Sequence, residues 1–371
     1  MQRFYQGYPG ATLDSDLLSK LPPIDPDKAT DPEKYVASEG LVDAVNIALH
    51  LGLPLLLTGE PGIGKSSLAY SLNRELGLKK DDVLHFTVKS DTSDNELFYN
   101  YDTLGRFHAV HGQININNKT AKHKALEEAD PRRFIRYQAL GKAILLAKGK
   151  EKIPKSIMTS ADREKWPTLP RRSVVLIDEI DKAPRDMPND ILNEIERMQF
   201  SIPELFYQDP IRLEKDEMQY RPIVIITSNG ERELPEAFLR RCLYFHLEMP
   251  PFDFAFDFKN IDNVQDRRVS VQRIVFERLG DQFAQLSPVL QDALKLFRYL
   301  REEQLDGINR RPSLAELLDW LRYLAKHPSK EEFLQRSDLM ISLKINLLKN
   351  RYDQERVRGW FDTYQKLSAT K

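Results

Sequence analysis

A glycine-rich loop between an apolar run and a helical segment is the feature that most constrains the fold of this chain. The loop, Gly-Glu-Pro-Gly-Ile-Gly-Lys-Ser over residues 59–66, matches every fixed position of the phosphate-binding pattern G-x-x-x-x-G-K-[ST]. Residues 53–58 are typical of a buried parallel strand, and residues 67–76 are typical of a helix that ends before Gly77. A chance glycine turn would lack these flanking elements, so the order predicts a phosphate-binding α/β domain.

The loop contains the groups that hold a nucleoside triphosphate. Its glycines allow backbone N–H groups to converge on phosphate oxygens, and the helix N-terminus adds a partial positive charge. Lys65 can reach the β- and γ-phosphates, and the Ser66 hydroxyl can ligate Mg²⁺. The residues predicted to contact the nucleotide are Gly59, Glu60, Pro61, Gly62, Ile63, Gly64, Lys65, Ser66 and Ser67.

Composition narrows the class of protein. The 371 residues allow two domains, and the 41% hydrophobic and 30% charged content is typical of a globular protein. A net charge of -1 argues against general attraction to nucleic acid or anionic membranes. The single cysteine, Cys242, excludes an internal disulfide, and the first residues lack the apolar core of a signal peptide. We therefore expect a cytoplasmic protein without a membrane span.

Hydrophobic patterning predicts two domains after a proline-rich arm over residues 1–33. Apolar runs separated by helical stretches predict a parallel sheet, with strands at 53–58, 83–88, 174–177 and 223–227. Helical patterns then dominate, at 268–278, 288–303, 314–325 and 331–349. The expected organisation is an α/β core over 34–258 and a smaller all-helical lid over 259–371.

The core contains a long insert at about residues 92–170. Residues 99–107 predict a hairpin, because a turn residue divides two short apolar pieces. Residues 119–172 hold fifteen Lys or Arg against six Asp or Glu. This excess indicates either a basic surface for an acidic partner or nucleic acid, or a solvated helical face that acidic segments balance; we favour the second interpretation.

A second strong signal is an apolar strand that ends in two carboxylates, Asp178 and Glu179. Ligands bind at the carboxyl ends of strands in open α/β sheets. Asp178 is placed to hold Mg²⁺ through water, beside Ser66, and Glu179 to polarise the attacking water. Such a pair can also merely cap the next helix. Asp181 and Lys182 are predicted to be surface or subunit-contact residues.

Polar and basic residues later in the chain complete the candidate site. Asn229, at the end of the strand 223–227, can contact the attacking water or the γ-phosphate, and Asn-Gly is also a common turn. Arg240 and Arg241 are candidates for stabilising a neighbouring subunit's nucleotide, or they merely favour a helix C-terminus. In the helical region Arg310 and Arg311 precede Ser313, which with Glu316 forms a predicted capping box.

Together these motifs resemble an AAA+ ATPase, and more narrowly the MoxR branch of the helix-2-insert clade. The resemblance covers about residues 35–325 and includes stretches that match beyond the nucleotide motifs. Those stretches are 41–46, 101–107, 183–194 and 234–237. Residues 115–170 and the arm 1–33 lie outside the matching stretches.

The resemblance implies a P-loop AAA+ core with a central parallel sheet and a helical lid. It implies a chaperone-like hexameric ring that hydrolyses ATP with Mg²⁺ to remodel or activate a protein client. A partner with a von Willebrand factor A domain often accompanies such ATPases. By position, Asn229 matches the first sensor, Arg241 the arginine finger with Arg240 as the alternative, and Arg311 the second sensor with Arg310 as the alternative.

Two other functions remain open from the sequence. The basic segment 119–172 favours a nucleic-acid-associated NTPase motor or nuclease-system subunit. A nucleotide-gated scaffold without turnover is the third possibility, and the intact Asp178-Glu179 pair argues against it. ATP rather than GTP is an expectation from the resemblance.

Overall fold

In the computed structural model the described residues are 31–111, 128–205, 209–254, 269–280, 289–301, 308–327 and 338–357. Contacts divide the chain into two compact units. The larger unit is formed by Ala37–Glu60 and Lys65–Glu248. The smaller unit contains the described residues from Met249 onward, together with residues 31–36 and Pro61–Gly64. Of the predicted arm, residues 1–30 lie outside the described residues.

A five-stranded parallel sheet forms the centre of the larger unit. The five strands are β1 (Leu55–Gly59), β2 (Val83–Thr87), β5 (Val174–Asp178), β8 (Ile223–Ser228) and β9 (Leu243–Leu247). Their order is β2-β5-β8-β1-β9, so β1 lies between β8 and β9, and β5 lies between β2 and β8. The three inner strands are almost wholly buried, which agrees with their continuous apolar runs.

The sequence predicted four of these strands and missed β9. Its side chains are only half-buried and alternate with exposed ones, as expected for an edge strand. Leu243, Phe245 and Leu247 form this alternation, but the pattern is short and follows two arginines. The same strand supplies the second neighbour of β1, since Leu55–Gly59 pairs in register with Leu243–Leu247.

In the described part of the larger unit, seven helices accompany the sheet. The first, α1, starts at the N-cap Ser38 and ends at Gly52, which adopts the left-handed conformation that favours glycine. The helices are α1 (Glu39–Leu51), α2 (Ser67–Glu75), α3 (Thr103–His111), α4 (Ala139–Lys148), α5 (Ser160–Arg163), α6 (Met187–Arg197) and α7 (Glu236–Leu239).

The predicted hairpin over 99–107 is wrong in its second half. Residues Tyr99–Tyr101 form strand β3, but Thr103–His111 is helix α3, because the Asp102 carboxylate accepts the Gly105 N–H and starts a helical turn. The antiparallel partner of β3 is β4 (Ile135–Tyr137), much later in the chain. A second small antiparallel pair joins β6 (Gln199–Phe200) to β7 (Ile211–Arg212).

Helix α4 shows that part of the long basic segment belongs to the core. Leu140, Ile144 and Leu145 are fully buried in the same cluster as the residues of β5 and β8. Many cations of the segment are in ion pairs, which favours the interpretation of a balanced surface. The pairs are Arg132–Asp130, Lys148–Glu217, Lys150–Glu164, Lys152–Asp216, Lys165–Asp162 and Arg171–Asp82.

The described helices of the smaller unit are α8 (Val271–Leu279), α9 (Leu290–Arg301), α10 (Leu314–Lys326) and α11 (Leu339–Leu347). They pack around Phe297 and Trp320, which are both fully buried. The predicted capping box is confirmed, since Ser313 accepts from the Glu316 N–H and Glu316 accepts from the Ser313 N–H. Residues 328–337, which include the start of the last predicted helix, lie outside the described residues. None of the helices in the described part of the chain is long and apolar enough to cross a membrane.

A glycine in α4 permits the closest approach in this core and generates a stability prediction. A Cβ at Gly141 would lie 2.0 Å from the carbonyl oxygen of Phe98, which is backbone and cannot rotate away. Gly141→Ala should therefore destabilise the protein by about 1–3 kcal/mol despite the better helix propensity of alanine. Urea unfolding followed by circular dichroism measures the change, with the exposed neighbour Lys142→Ala as the control. An unchanged or raised midpoint for Gly141→Ala would contradict this packing.

Candidate nucleotide site

Three neighbouring strands bring the predicted site residues to one edge of the sheet. β5, β8 and β1 are parallel and adjacent, so their carboxyl ends lie side by side. Asp178 ends β5, Asn229 follows β8, and the loop with Lys65 follows β1. The local order of strand, polar residue and turn in the sequence therefore produces one cluster.

The glycine that begins the loop is required by a close backbone contact. Gly59 has φ 145°, and a Cβ there would lie 2.5 Å from the carbonyl oxygen of Leu247 on the neighbouring β9. Any other residue would force β1 and β9 apart. The conformation of the loop thus depends on β9, the strand that the sequence did not reveal.

Lys65 is buried at the centre of the cluster. Its ammonium donates to the carbonyl oxygens of Gly59 at 2.7 Å and Glu60 at 2.9 Å, and to Asn229 Oδ1 at 2.8 Å. Burial lowers the pKa of Lys65 below its ordinary value, and nearby carboxylates, Asp178 first among them, partly offset this effect. A buried ammonium whose partners are neutral oxygens is well prepared to exchange them for an anion.

Ser66 and Asp178 offer the oxygen ligands that Mg²⁺ prefers. Ser66 precedes α2, but its side chain makes no capping hydrogen bond, and Oγ instead donates to Asp178 Oδ1 at 2.8 Å. Burial raises the pKa of Asp178, but hydrogen bonds from His85, Thr227 and Ser66 outweigh burial and hold the pKa below its ordinary value. One ionised carboxylate and one hydroxyl fit a Mg²⁺ ion that keeps waters and phosphate oxygens as its other ligands.

Glu179 has an unusual backbone conformation for a residue that is not glycine. Its φ of 61° and ψ of 48° are left-handed, which costs about 1–3 kcal/mol. The Glu179 N–H donates to Thr227 Oγ1 at 3.0 Å, so the end of β8 supports this turn. The carboxylate accepts from Asn229 Nδ2 at 3.3 Å and from Lys182 Nζ at 2.6 Å. A strained residue with a fixed carboxylate is a common feature of catalytic sites.

The prediction that Asp181 is a surface or contact residue is wrong. Its side chain is 3% exposed, and Oδ2 accepts the backbone N–H groups of Asn229 at 3.1 Å and Glu231 at 2.9 Å. The carboxylate therefore holds the turn after β8 and fixes the position of Asn229. The backbone N–H groups of this turn have no strand partner and need an acceptor. The Asn-Gly turn in the sequence was therefore the available indication that a nearby carboxylate such as Asp181 would be buried against it.

Two other residues of the cluster were missed by sequence reasoning. His85 Nε2 lies 3.3 Å from Asp178 Oδ2, and Thr227 Oγ1 donates to Asp178 Oδ1. Both are polar residues near the carboxyl ends of strands, β2 and β8, that flank β5. A polar residue near the carboxyl end of a strand was therefore the sequence feature that could have identified His85 and Thr227.

The paired arginines after α7 have acidic partners outside this cluster. Arg240 pairs with Glu236 at the exposed end of α7. Arg241 Nε lies 3.3 Å from Glu196 Oε1, and both side chains are about two-fifths exposed. The next residue, Cys242, is buried, and burial raises the pKa of its thiol to about 12. The structure thus presents Arg240 and Arg241 at the surface of the larger unit.

Arg310 and Arg311 belong to the smaller unit, and both are exposed. The Arg310 backbone N–H donates to the buried Asp353, and its guanidinium lies 3.4 Å from Glu316. The loop that carries both arginines is therefore attached to the start of α10 and to Asp353.

A comparison with known protein families agrees with the sheet and the residue cluster described above. Residues 55–250, just over half of the 371-residue chain, match the model of the ATPase family associated with various cellular activities (AAA). The chain belongs to the AAA ATPase family. The matched residues contain all five strands of the sheet and the whole Lys65–Glu179–Asn229 cluster, so the central parallel sheet with flanking helices is an AAA+ core.

Chains of solved structures are also similar to this AAA ATPase. One, from the S. cerevisiae Hsp104-ADP complex, is 14% identical with a TM-score of 0.38. The match covers 81% of this chain and 46% of that chain, so this chain spans less than half the length of the Hsp104 chain. A comparison with curated proteins gives no match.

The buried carboxylate of Asp181 generates a prediction for this AAA ATPase. Asp181→Ala leaves two N–H groups of the β8 turn without an acceptor, which should lower the free energy of unfolding by about 1–3 kcal/mol. The same change frees Asn229 and should reduce ATP turnover. Urea unfolding and phosphate release measure the two effects, and the exposed Asp186→Ala is the control. If Asp181→Ala keeps both wild-type stability and wild-type turnover, Asp181 does not hold this turn.

Proposed function

We propose that this AAA ATPase hydrolyses ATP to ADP and phosphate in a Mg²⁺-dependent reaction. The observation that carries the proposal is the connected cluster of Lys65, Ser66, Asp178, Glu179 and Asn229. In this cluster a buried cation, a hydroxyl, an ionised carboxylate and a second carboxylate lie at one edge of the sheet. Each is a group that phosphoryl transfer to water requires.

Binding of the phosphates is assigned to residues 59–67. The ammonium of Lys65 now contacts two loop carbonyls and Asn229, and phosphate oxygens are stronger acceptors because they are charged. We expect Lys65 to exchange the Asn229 contact for the β- and γ-phosphates. Exchange of that contact frees Asn229 Oδ1 for the attacking water or the γ-phosphate.

Ser66 and Asp178 are the residues that would hold Mg²⁺. When bound, the ion neutralises charge on the phosphate oxygens. The contribution of the chain is to fix the two ligands: Thr227 and His85 contact the Asp178 carboxylate from β8 and β2. A carboxylate restrained from both sides needs little reorganisation to accept the cation.

Glu179 is proposed as the general base. Its left-handed backbone and the hydrogen bond to Thr227 aim the carboxylate toward Asn229. A carboxylate at that place can accept the proton of a water that attacks the γ-phosphate, while Asn229 orients the same water.

The finer assignments follow from the resemblance to the MoxR branch. We propose that the protein assembles into a hexameric ring in the cytoplasm and remodels or activates a protein client, in a chaperone-like role with a von Willebrand factor A domain partner. Arg241 is proposed to reach the nucleotide of the neighbouring subunit, and Arg311 to act as the second sensor in the lid. The exposure of Arg241 supports the first assignment, since a residue that acts in trans must lie at the surface.

The alternative of a nucleic-acid motor depends on the basic segment 119–172. Six of the cations in the described part of that segment already have a carboxylate partner. A phosphate backbone would have to displace those carboxylates, so we favour the protein client. Stimulation of turnover by DNA or RNA that disappears at high salt would support the alternative instead.

The assignment of the base gives the main prediction. Glu179→Gln keeps the shape and the Asn229 contact but removes the proton acceptor, so turnover should fall by about a hundredfold or more while ATP binding survives. Phosphate release and a fluorescent-nucleotide titration measure the two quantities. Turnover near the wild-type rate in Glu179→Gln would exclude this residue as the base.

The assignment of the arginine finger gives a second prediction. Arg241→Ala should lower turnover by about a thousandfold, because an arginine finger stabilises the charge of the transition state. Raising the protein concentration should not restore the turnover. Arg240→Ala is the matched comparison, because Arg240 is the neighbouring residue and pairs only with an exposed carboxylate among its described contacts. If Arg240→Ala is the inactive variant, the roles of the two arginines are exchanged. If both variants keep full activity, no finger lies at this position.

A further inference from the structure

Lys182, which the sequence predicted to be a surface or subunit-contact residue, contacts the proposed base Glu179. Its Nζ lies 2.6 Å from Glu179 Oε2. Exposed ion pairs between residues three or four apart usually contribute little. The Lys182–Glu179 pair differs from such pairs in two ways. It lies on a 3₁₀ turn that follows a left-handed residue, and the buried Asp181 lies between its two members in the chain.

The backbone places the ammonium over the carboxylate. Residues Ile180–Lys182 form a 3₁₀ turn directly after the left-handed Glu179, and the Lys182 N–H donates to the Glu179 carbonyl at 3.0 Å. That hydrogen bond closes a tight turn between the two residues. The closed turn keeps Lys182 next to Glu179, and Nζ reaches the carboxylate.

The turn is anchored on its inner side. Ile180 is fully buried, and Asp181 is 3% exposed with two N–H groups of the β8 turn on its carboxylate. These two residues fix the orientation of the turn, and Lys182 is left on the outer side with 40% of its side chain exposed. The turn that carries the Lys182–Glu179 contact is thus anchored by the same buried carboxylate that positions Asn229.

The two oxygens of Glu179 are held unequally. Oε2 has the ammonium at 2.6 Å, whereas Oε1 has the amide of Asn229 at 3.3 Å. The short, charged contact fixes the rotation of the carboxylate, and the longer contact leaves Oε1 as the oxygen that water can approach. A displacement of about 1 Å in such a group can cost about a hundredfold in rate.

We propose that Lys182 is a positioning residue for hydrolysis, which holds Oε2 of Glu179 so that Oε1 faces the attacking water beside Asn229. This inference rests on the proposed function, because Lys182 has this role only if Glu179 is the base. The hydrogen bond to Glu179 raises the pKa of Lys182, so the ammonium stays charged at neutral pH.

Three substitutions test the role. Lys182→Met removes the charge and keeps the length, and it should lower kcat about tenfold, while KM and the affinity for ATP change less than about twofold. Lys182→Arg keeps a cation over the carboxylate and should recover most of kcat. Lys165→Met is the matched control, because Lys165 also pairs with a carboxylate three residues away, Asp162 at 2.8 Å, but on the surface of the larger unit; its kcat should be unchanged.

The outcomes separate this inference from the proposed function. An unchanged or raised kcat in Lys182→Met, or a loss that Lys182→Arg does not recover, would overturn the positioning role. A raised KM with unchanged kcat would also overturn it and would place Lys182 on the nucleotide. Turnover that survives in Glu179→Gln would instead overturn the proposed function. An inactive Glu179→Gln beside a fully active Lys182→Met would overturn only the role of Lys182.

Discussion

The amide of Asn229 is the link on which the rest of this site depends. Its oxygen accepts from Lys65 after β1, and its nitrogen donates to Glu179 after β5, so one side chain connects the phosphate loop to the proposed base. The strand order makes the link possible, because β8 lies between β5 and β1. The Asp181 carboxylate accepts the backbone N–H of Asn229 and so fixes the position of that residue. Two hydrogen bonds on one amide thus join Lys65 to Glu179.

The cluster also explains why buried polar groups are tolerated at this edge of the sheet. Lys65 and Asp181 are both more than nine-tenths buried, and each has hydrogen-bond partners at the strand ends. An isolated buried charge is costly, and these hydrogen bonds replace part of the hydration that burial removes. The strained backbone of Glu179 is a further cost, which the hydrogen bond to Thr227 offsets. Such costs are expected where a site must be ready for a ligand before that ligand arrives.

Much of this arrangement could be predicted from the sequence, and the failures have physical reasons. The apolar runs at 53–58, 83–88, 174–177 and 223–227 predicted four of the five strands, and the residues that follow three of them predicted the site. Strand β9 was missed because an edge strand is half-buried and lacks a continuous apolar run. Asp181 was missed because its burial depends on two N–H groups fifty residues away. The helix of Thr103–His111 was missed because it starts from a local hydrogen bond to Asp102 at a position read as a turn. The burial of α4 depends on long-range packing. The domain boundaries and the roles of the arginines stay predictions.

Lys65, Asn229 and the loop 59–67 are proposed to form a binding site for Mg²⁺–ATP. Titration calorimetry of wild-type protein and of Lys65→Met, with ATP and Mg²⁺, tests this site. We expect one ATP bound per chain for the wild type and a loss of affinity of about a hundredfold for Lys65→Met, since a buried charged contact contributes about 1.5–3 kcal/mol. Equal affinity in the two proteins, or no binding to the wild type, would contradict it.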